Sequence, residues 1–370
     1  MRRSGLATLR LHGGKAPGWL VARMTRLSSA LLEAMAEIHS SREILSRLSD
    51  PFFFQALSNA LGFDWDSSGS TTVTCGALKE ALDRIDIGIK AAGGKRKQSK
   101  TLSEISDMKL VLDLSEEEVS KVRYGSRISA KVDTAAIQAG YPLYHHSVFV
   151  EKNGGWVVIQ QGMKPHERLA RRYHWLSFEL KDFVVEPHKA IVGFKHDTVL
   201  DMTAVDSEDS RKACVDLAHE GARRLDRLFK SIERESQPSL DKWFGGMNHS
   251  GLRAYSVPSR MNWEVLEKLY LSPPSDFEGL LAFPGVGPST IRGLALLAEL
   301  IFGHEPSWRD PVKYSFAFGG KDGVPYPVDR RAMDEATEVI RSSVETAKLG
   351  KREKLDALER LDGFWGKGRA

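Results

Sequence analysis

The sequence predicts an α+β protein: a mixed amino-terminal α/β region with a small antiparallel sheet, followed by a mainly α-helical carboxy-terminal domain. Three observations support this class. Apolar residues recur every three or four positions over residues 19–35 and 207–235, which is the spacing of amphipathic helices. Between these segments, two β-rich runs flank Asn153-Gly154-Gly155, the pattern of a β-hairpin. The 370 residues are enough for two or three domains with buried cores.

Composition and charge limit the classes of partner. The formal net charge of +4 is mildly basic, which permits nucleic acid as a partner without requiring it. The first 32 residues contain several cations and no acidic residue, so the amino terminus is locally positive. No stretch approaches the length of about 18 apolar residues that a membrane span needs. Cys75 and Cys214 have no metal-type spacing. We therefore expect a cytoplasmic protein without membrane contact.

Residues 1–90 form the first predicted domain, a small mixed α/β unit. One short strand and two helices are expected in it, over residues 6–12, 19–35 and 41–48. Residues 51–61 follow, and the phenylalanines of DPFFFQALSNALG are expected in the core.

The loop GFDWDSSGSTT, residues 62–72, precedes a helix predicted from residue 76. Its hydroxyl groups could cradle a phosphate of DNA, or they could serve only to cap the helix. The candidate DNA contacts in this loop are Ser67, Ser68, Thr71 and Thr72. Asp64 and Asp66 could hold a metal ion or could be ordinary turn residues.

A basic linker or loop is predicted over residues 91–100, AAGGKRKQSK. Two glycines followed by a run of cations are typical of a flexible, exposed connection. Lys95, Arg96 and Lys97 would face the backbone of a bound polyanion. The alternative is a solvated linker that binds nothing.

Residues 101–205 form the most enzyme-like predicted domain, an α+β unit built around the hairpin. The first strand of the hairpin begins near His145 and His146, and the second ends near Gln160 and Gln161. Because the two strands run antiparallel, these four side chains should lie side by side.

The next segment, RLARRYHWL, adds two arginines and a histidine. Imidazole can transfer protons or bind a metal, and guanidinium can stabilise charge on a phosphate. The pattern therefore predicts a site for phosphodiester cleavage. Its candidate catalytic residues are His145, His146, Gln160, Gln161, Arg171, Arg172 and His174. The alternative is a hydrogen-bonded polar patch between two domains.

Residues 206–370 are predicted to form a helical DNA-binding domain. Within it, residues 275–303 predict a helix, a tight turn and a second helix. Ser275 and Glu278 have the spacing of a capping box for the first helix. Pro288 fits the first turn of the second helix, where its missing N–H costs nothing.

The PGVG turn in this stretch resembles the helix-hairpin-helix DNA-binding element. The resemblance implies that the glycines admit a phosphate and that the second helix offers it free N–H groups. Such contacts position a protein on DNA without reading its bases. The residues implied are Gly285, Gly287, Ser289, Thr290 and Arg292. An ordinary αα-hairpin with a glycine turn is the alternative.

Blocks over nearly the whole chain resemble the domain-of-unknown-function 763 family of archaea and bacteria. They are LRLHGGKAPGWL, DPFFFQALSNALGFDWDSSGSTT, VVIQQGM with ARRYHWLS, and PGVGP followed by DPVKYSFAFGGKDGVPYPVD. The resemblance implies a DNA-processing protein, specifically a structure-selective nuclease whose amino-terminal part is similar to the ParB/sulfiredoxin fold. It does not indicate which residues are catalytic.

PGVG also resembles the turn of helix-hairpin-helix DNA glycosylases. The resemblance implies a catalytic aspartate farther along the chain. Bifunctional members also carry a lysine shortly after the turn. Ser289 stands at the lysine position, which disfavours a Schiff-base lyase. Asp310 lies farther from PGVG than the catalytic aspartate of these glycosylases does. Asp310 or Asp329 could still be that aspartate if the loop before it is longer.

The expected function is a structure-selective nuclease that cuts single-stranded or distorted DNA while the helix-hairpin-helix holds the duplex backbone. Mg²⁺ or Mn²⁺ is the expected charge stabiliser, and the need for a metal stays open because the cluster is richer in histidine and glutamine than in carboxylates. Two alternatives are a monofunctional DNA glycosylase and a non-catalytic DNA-binding module of a repair or recombination complex.

Overall fold

The computed structural model describes residues 9–10, 16–62, 68–95, 98–235, 261–312 and 330–366, and it confirms the α+β class. The helices are α1 (Gly18–Ala36), α2 (Ser41–Ser49), α3 (Pro51–Ala60), α4 (Gly69–Arg84), α5 (Gln98–Leu112), α6 (Glu116–Lys131), α7 (Glu208–Ala218), α8 (Ala222–Glu235), α9 (Trp263–Leu271), α10 (Phe277–Ala282), α11 (Pro288–Phe302), α12 (Arg330–Thr346) and α13 (Lys351–Gly366). The strands are β1 (Leu9–Arg10), β2 (Ile89–Gly94), β3 (Ile137–Gln138), β4 (Leu143–Glu151), β5 (Trp156–Lys164), β6 (Leu169–Leu176), β7 (Ala190–Gly193) and β8 (Leu200–Asp201).

One antiparallel sheet lies at the centre of the described fold. Its strand order is β1-β6-β5-β4-β2, and β7 also pairs with β6. The predicted hairpin is β4 and β5, and its register places His145 opposite Gln161 and His146 opposite Gln160. The predicted adjacency of these residues is therefore confirmed.

Several helices begin at residues whose side chains cap the first turn. Ser40 and Glu43 form a capping box at the start of α2, and Ser115 and Glu118 form one at the start of α6. The side chain of Asp50 accepts hydrogen bonds from two first-turn N–H groups of α3. These caps satisfy backbone donors that the helices cannot satisfy themselves.

The side of the sheet that packs against α1–α4 is here called the α3 face. Its core contains Phe53, Phe54, Phe149 and Ile159 among other buried side chains, and residues of α12 and α13 complete it. The last two helices of the chain thus pack with the first four.

The opposite side of the sheet is here called the α6 face. Its core contains Val148, Val158 and Trp175 from the strands, and it extends through α5–α11. Neighbouring residues such as Val148 and Phe149 enter different cores because successive side chains of a strand point to opposite faces. The predicted carboxy-terminal domain is therefore divided between the two faces of the sheet.

The flexible linker predicted over residues 91–100 is wrong for its first part. Residues 91–94 complete strand β2, which pairs with β4 from Ile89 to Gly94, and α5 begins at Gln98. Gly93 has φ +93°, and a Cβ on it would lie 2.1 Å from the carbonyl oxygen of His146. This glycine therefore permits a close approach of two strands and does not indicate flexibility.

Helix α6 continues into a π-helical turn, Val132–Ala136, before β3. Asp133 lies on this turn and is buried against the sheet. Lys131, the last residue of α6, remains half-buried at the surface beside α11.

Candidate nucleic-acid interface

The stretch predicted as helix, turn and helix consists of α10, a short turn and α11. The cap of α10 differs from the prediction: Asp276, not Ser275, accepts the hydrogen bond from the Gly279 N–H at 2.7 Å. Glu278 does not close a capping box, because its carboxylate accepts a hydrogen bond from the Tyr124 hydroxyl.

The two glycines of the turn have different roles. Gly285 has φ +87°, and a Cβ on it would lie 2.6 Å from Val265 Cγ2, so both its conformation and its packing favour glycine. Gly287 is the residue that precedes α11, and its backbone is extended. It provides no side-chain cap to the first-turn N–H groups of α11, and a Cβ on it would contact nothing within 4 Å.

The remaining predicted contacts on α11 differ in exposure. Ser289 is exposed, Thr290 is buried, and Arg292 is half-buried with its guanidinium 5.7 Å from the centre of the Trp308 ring. Burial lowers the pKa of Arg292. Of these three, Ser289 is the side chain that lies free on the surface beside Gly287.

A cleft of about 410 Å³ separates the start of α11 from the start of β4. Its lining residues are Lys95, Ala130, Lys131, Thr134, Leu143, Tyr144, His145, His146, Val286, Gly287 and Pro288. Among these described residues there are two lysines and no carboxylate. We name this feature the phosphate cleft, because it combines an uncapped helix start with two cations.

The two lysines reach the cleft in different ways. Lys95 is exposed just beyond β2, with its ammonium 5.8 Å from the centre of the Tyr144 ring. Lys131 donates a hydrogen bond to the carbonyl of Val286, in the turn before α11. Burial, followed by the nearby Arg127 charge, lowers the pKa of Lys131.

The two histidines of the cleft differ in their free hydrogen-bonding capacity. His146 uses both ring nitrogens: Nδ1 contacts Gln160 Oε1 at 2.7 Å, and Nε2 contacts the Ser126 hydroxyl at 2.8 Å. His145 is 2% exposed, its Nε2 contacts the Ser147 hydroxyl, and its Nδ1 has no partner among the described residues. Burial, with smaller contributions from His146 and Lys95, lowers the pKa of His145 to about 3.

Behind His146, the hydrogen bonds continue into a buried network on the α6 face. Gln160 donates from Nε2 to the carboxylate of Asp133, which also accepts from Trp175 Nε1 at 3.1 Å and contacts His188 Nε2. Sequence reasoning missed Ser126, Asp133 and His188, because no motif connects them to the hairpin.

On the α3 face, Gln161, Arg172 and His174 are buried and lie outside the cleft lining. Arg172 donates to Gln55 Oε1 at 3.1 Å and lies 4.8 Å from the centre of the Phe54 ring. Burial lowers the pKa of Arg172 to about 10, and no described carboxylate pairs with it. His174 packs edge-on against Phe54, and burial lowers its pKa well below the usual value.

Arg171 is buried on the α6 face, away from the cleft lining. It forms an ion pair with Asp310 at 2.5 Å, in which neither side chain is exposed, and its guanidinium lies 4.7 Å from the centre of the Tyr141 ring. Asp310 also accepts the N–H groups of His196 and Val312. The carboxylate considered for a glycosylase is thus engaged in the core.

The seven candidate catalytic residues therefore do not converge. The strand register brings them to neighbouring positions, but alternation along β4, β5 and β6 sends them to opposite faces of the sheet. His145 and His146 alone of the seven line the cleft.

The phosphate cradle predicted for the loop 62–72 is wrong for its described part. Helix α4 begins at Gly69, so Thr71 and Thr72 lie within it and are buried, and Ser68 is buried beside them. Thr71 contacts Gln161 Oε1, and Gln161 Nε2 donates to the Ser68 carbonyl at 3.0 Å. Ser67, Asp64, Asp66, Arg96, Lys97 and Asp329 lie outside the described residues.

In the part of the chain that the structure describes, no group of three or more His, Cys, Asp or Glu side chains could hold a metal ion. None of the described helices is long and apolar enough to cross a bilayer.

Comparison with known proteins gives one match. Neither the curated proteins nor the solved structures compared with the chain show a significant match, so the likeness of the amino-terminal part to ParB/sulfiredoxin stays a prediction. The model of one family, described as "Protein of unknown function (DUF763)", matches residues 5–328. Since this match covers most of its 370 residues, the chain belongs to the DUF763 family.

Proposed function

We propose that this protein binds the phosphate backbone of DNA in the phosphate cleft. The observation that carries the proposal is the position of Gly287. It leaves the first turn of α11 uncapped and opens on the same cleft as Lys95 and Lys131. A site of this kind holds an anion through backbone N–H groups, the positive end of the helix dipole and side-chain cations together.

The chemistry of the cleft favours DNA without sequence preference. Backbone N–H groups and lysines contact phosphate oxygens, which are the same for every base pair. Gly287 adds no side chain between α11 and a ligand, so a phosphate can approach the backbone closely. Because phosphate contacts release counterions, the affinity for DNA should fall steeply as salt rises.

The decisive experiment replaces Gly287 in two matched ways. Gly287→Asp and Gly287→Asn add side chains of almost the same shape, and both residues are good helix caps. Only aspartate adds a negative charge where the phosphate would bind. We expect Gly287→Asp to bind labelled duplex and bubble DNA at least about tenfold more weakly than Gly287→Asn, measured by fluorescence anisotropy at several salt concentrations.

Thermal unfolding of the two variants provides the control for folding. Equal DNA affinity of Gly287→Asp and Gly287→Asn would show that no phosphate lies at this helix start. A wild-type protein that binds neither DNA, even at low salt, would also contradict the proposal.

Strand cleavage in the same cleft is the second candidate function. The residue that favours it is His145, which lines the cleft and whose buried Nδ1 has no hydrogen-bond partner among the described residues. At neutral pH this ring is uncharged, since burial lowers its pKa to about 3. A phosphate bound nearby would raise that pKa through its negative charge, which would make the ring a better proton acceptor. His146 would then act as a positioning residue, because both of its nitrogens are already hydrogen-bonded.

The test of cleavage uses labelled bubble and duplex DNA, with and without Mg²⁺ and Mn²⁺. We expect His145→Ala to abolish cutting and His146→Ala to slow it, while both variants retain DNA affinity close to that of the wild type. Equal cutting by all three proteins would exclude His145 and His146 from the chemistry. DNA binding that weakens with salt, without any cleavage product, would show that the protein is a DNA-binding module without nuclease activity.

No observation on the described residues favours the glycosylase alternative. Of its two candidate aspartates, Asp310 is buried and paired with Arg171, and Asp329 lies outside the described residues. Ser289 stands where the lysine of bifunctional members would be.

A further inference from the structure

The residues that line the phosphate cleft differ in exposure, and this difference gives the cleft a rim and a floor. Lys95 and Pro288 are exposed and form the rim, whereas His145 and Val286 are buried and form the floor. The volume of about 410 Å³ lies within the range of about 300–1,000 Å³ that is usual for small-molecule sites. The cleft can therefore enclose one small chemical group, in addition to contacting a surface that lies across its rim.

The floor of the cleft carries a polar atom without a partner. His145 is 2% exposed, and its Nδ1 has no hydrogen-bond partner among the described residues, while its Nε2 contacts the Ser147 hydroxyl at 3.0 Å. Leaving a buried polar atom unpaired costs free energy, so such atoms usually contact a water molecule or a ligand. The unpaired Nδ1 is an observation independent of the uncapped helix start at Gly287, and both residues border the same space.

Between the rim and the floor, the side of the cleft formed by β4 is largely apolar. Leu143 and Tyr144 line it and are half-buried. The Tyr144 hydroxyl accepts a hydrogen bond from Gln161 Nε2, which holds the ring in place. Apolar side chains therefore lie in the same small space as the lysines, a combination that suits a ligand with one anionic end and one less polar end.

The charge of the cleft exceeds what one internal phosphate of DNA needs. Lys95 and Lys131 line it without any carboxylate among the described lining residues, and the start of α11 adds roughly half a positive charge. An internal phosphodiester carries a single negative charge. A terminal phosphate monoester carries about −1.5 to −2 at neutral pH. The positive charge gathered in this one space therefore matches a terminal phosphate better than an internal one.

Resting on the proposed function, we propose that the phosphate cleft binds the terminal phosphate of a DNA strand. An internal phosphate continues into a nucleotide on both sides, so it can contact the rim but cannot reach the floor unless both neighbours follow it. A terminal phosphate continues on one side only and can enter first. Inside the cleft, the first-turn N–H groups of α11 and the Lys131 ammonium would contact its oxygens. The terminal sugar would lie against Leu143 and Tyr144.

This specificity is for the phosphate at a terminus and does not require unpaired DNA, so a fully paired blunt end should bind. The test therefore uses DNA hairpins with a blunt stem and a fluorescent label in the loop. One carries a 5′-phosphate, one of the same sequence carries a 5′-hydroxyl, and one with a 5′-hydroxyl is a base pair longer. The longer hairpin gains two internal phosphates and so controls for the added charge. A fourth hairpin carries its phosphate at the 3′ end.

Affinities are measured by fluorescence anisotropy for the wild type, Lys131→Met and a matched control, Lys121→Met. Lys121 lies on the exposed side of α6, where it pairs with Glu117. We expect the wild type to bind at least one of the phosphorylated hairpins about tenfold more tightly than either hydroxyl hairpin, because charge-assisted hydrogen bonds to the terminal phosphate are gained. Lys131→Met should lose most of this preference, and Lys121→Met should retain it. Thermal unfolding checks that both variants are folded.

Equal affinity of the wild type for all four hairpins would overturn the binding of strand ends. If Gly287→Asp nevertheless binds the hydroxyl hairpins more weakly than Gly287→Asn does, the phosphate cleft stands and holds internal phosphates. A full preference for the phosphorylated end in Lys131→Met would mean that the end binds outside the cleft. Displacement of the phosphorylated hairpin by thymidine 5′-monophosphate, at a concentration no higher than the Kd of the hairpin, would replace the strand end with a free nucleotide. If the wild type binds none of the hairpins even at low salt, both proposals fail.

Discussion

Arg171 and Arg172 are neighbours on β6, yet their guanidinium groups have different kinds of partner on the two faces of the sheet. On the α6 face, Arg171 is paired with the carboxylate of Asp310, and the same face pairs Asp133 with His188. On the α3 face, Arg172 has neutral partners, Gln55 and Thr71, and the ring of Phe54. One face balances its buried arginine with a carboxylate, and the other surrounds a buried arginine with dipoles.

The difference shows that residue type alone does not indicate a reactive site. Both arginines fit the chemistry of phosphate binding in the sequence, and both are fully buried in the structure. What decides the role of such a group is whether solvent or a ligand can reach it and whether another charge already neutralises it. By that criterion the phosphate cleft, which is open and lined by cations, is the stronger candidate.

The largest expected effect comes from making the same substitution on the two faces. Arg171→Met leaves the Asp310 carboxylate buried without its cation, which we expect to lower the free energy of unfolding by about 3–5 kcal/mol. Arg172→Met removes a cation that no described carboxylate balances, and the lost hydrogen bonds are offset by relief of the buried charge. We expect its effect to stay within about 1 kcal/mol.

Urea unfolding of the two variants at neutral pH measures this difference. If Arg172→Met lowers the free energy of unfolding as much as Arg171→Met does, the comparison is wrong. The stability of both faces would then depend equally on the arginine.

Acid should act on the histidine that borders the cleft. The pKa of His145 is about 3 in the folded protein and close to 6.5 in the unfolded chain. Between these values the unfolded chain binds a proton that the folded protein does not, so the free energy of unfolding should decrease as the pH falls below 6.5. The expected contribution is about 1.4 kcal/mol for each pH unit, and it should be lost in His145→Asn.

The exposed His166 provides the matched control, as His166→Asn. Stability curves measured from pH 7 down toward acid unfolding should be flatter for His145→Asn than for the wild type, and unchanged for His166→Asn. Parallel curves for all three proteins would contradict the burial of a neutral His145.

The smallest expected effect concerns one cation of the cleft. Lys131→Met should weaken DNA binding up to about tenfold and reduce the salt dependence of the affinity by about one counterion, with little change in stability. Lys121→Met, on the exposed side of α6 where Lys121 pairs with Glu117, is the control and should bind DNA as the wild type does. If the DNA affinity of the wild type and of Lys131→Met depends equally on salt concentration, Lys131 does not contact a DNA phosphate.

Much of the fold follows from local signals in the sequence. The Asn153-Gly154-Gly155 turn with its flanking strands predicts the hairpin and the adjacency of His146 and Gln160, and Pro288 predicts the start of α11. These features succeed because they depend on residues close together in the chain.

The parts that could not be predicted depend on distant partners. No local pattern shows that β6 lies beside β5, and so that Arg171 and Arg172 point into different cores. The glycines of residues 91–94 predict flexibility by composition, because composition does not reveal the strand that approaches Gly93. Whether Asp310 is free or engaged depends on a contact across 139 positions of sequence.

The π-helical turn at Val132–Ala136 gives the protein an unusual sensitivity to chain length. A π turn holds one more residue than the α-helical turn it replaces, so it acts as a single-residue insertion at the end of α6. Deletion of Val132 would turn Asp133 by about 100° around the helix axis relative to Lys131. Asp133 would then leave the buried network, while Lys131 would keep its hydrogen bond to the Val286 carbonyl. The loss of a single residue would thus remove Asp133 from the hydrogen bonds that reach His146 through Gln160 and leave Lys131 in the cleft.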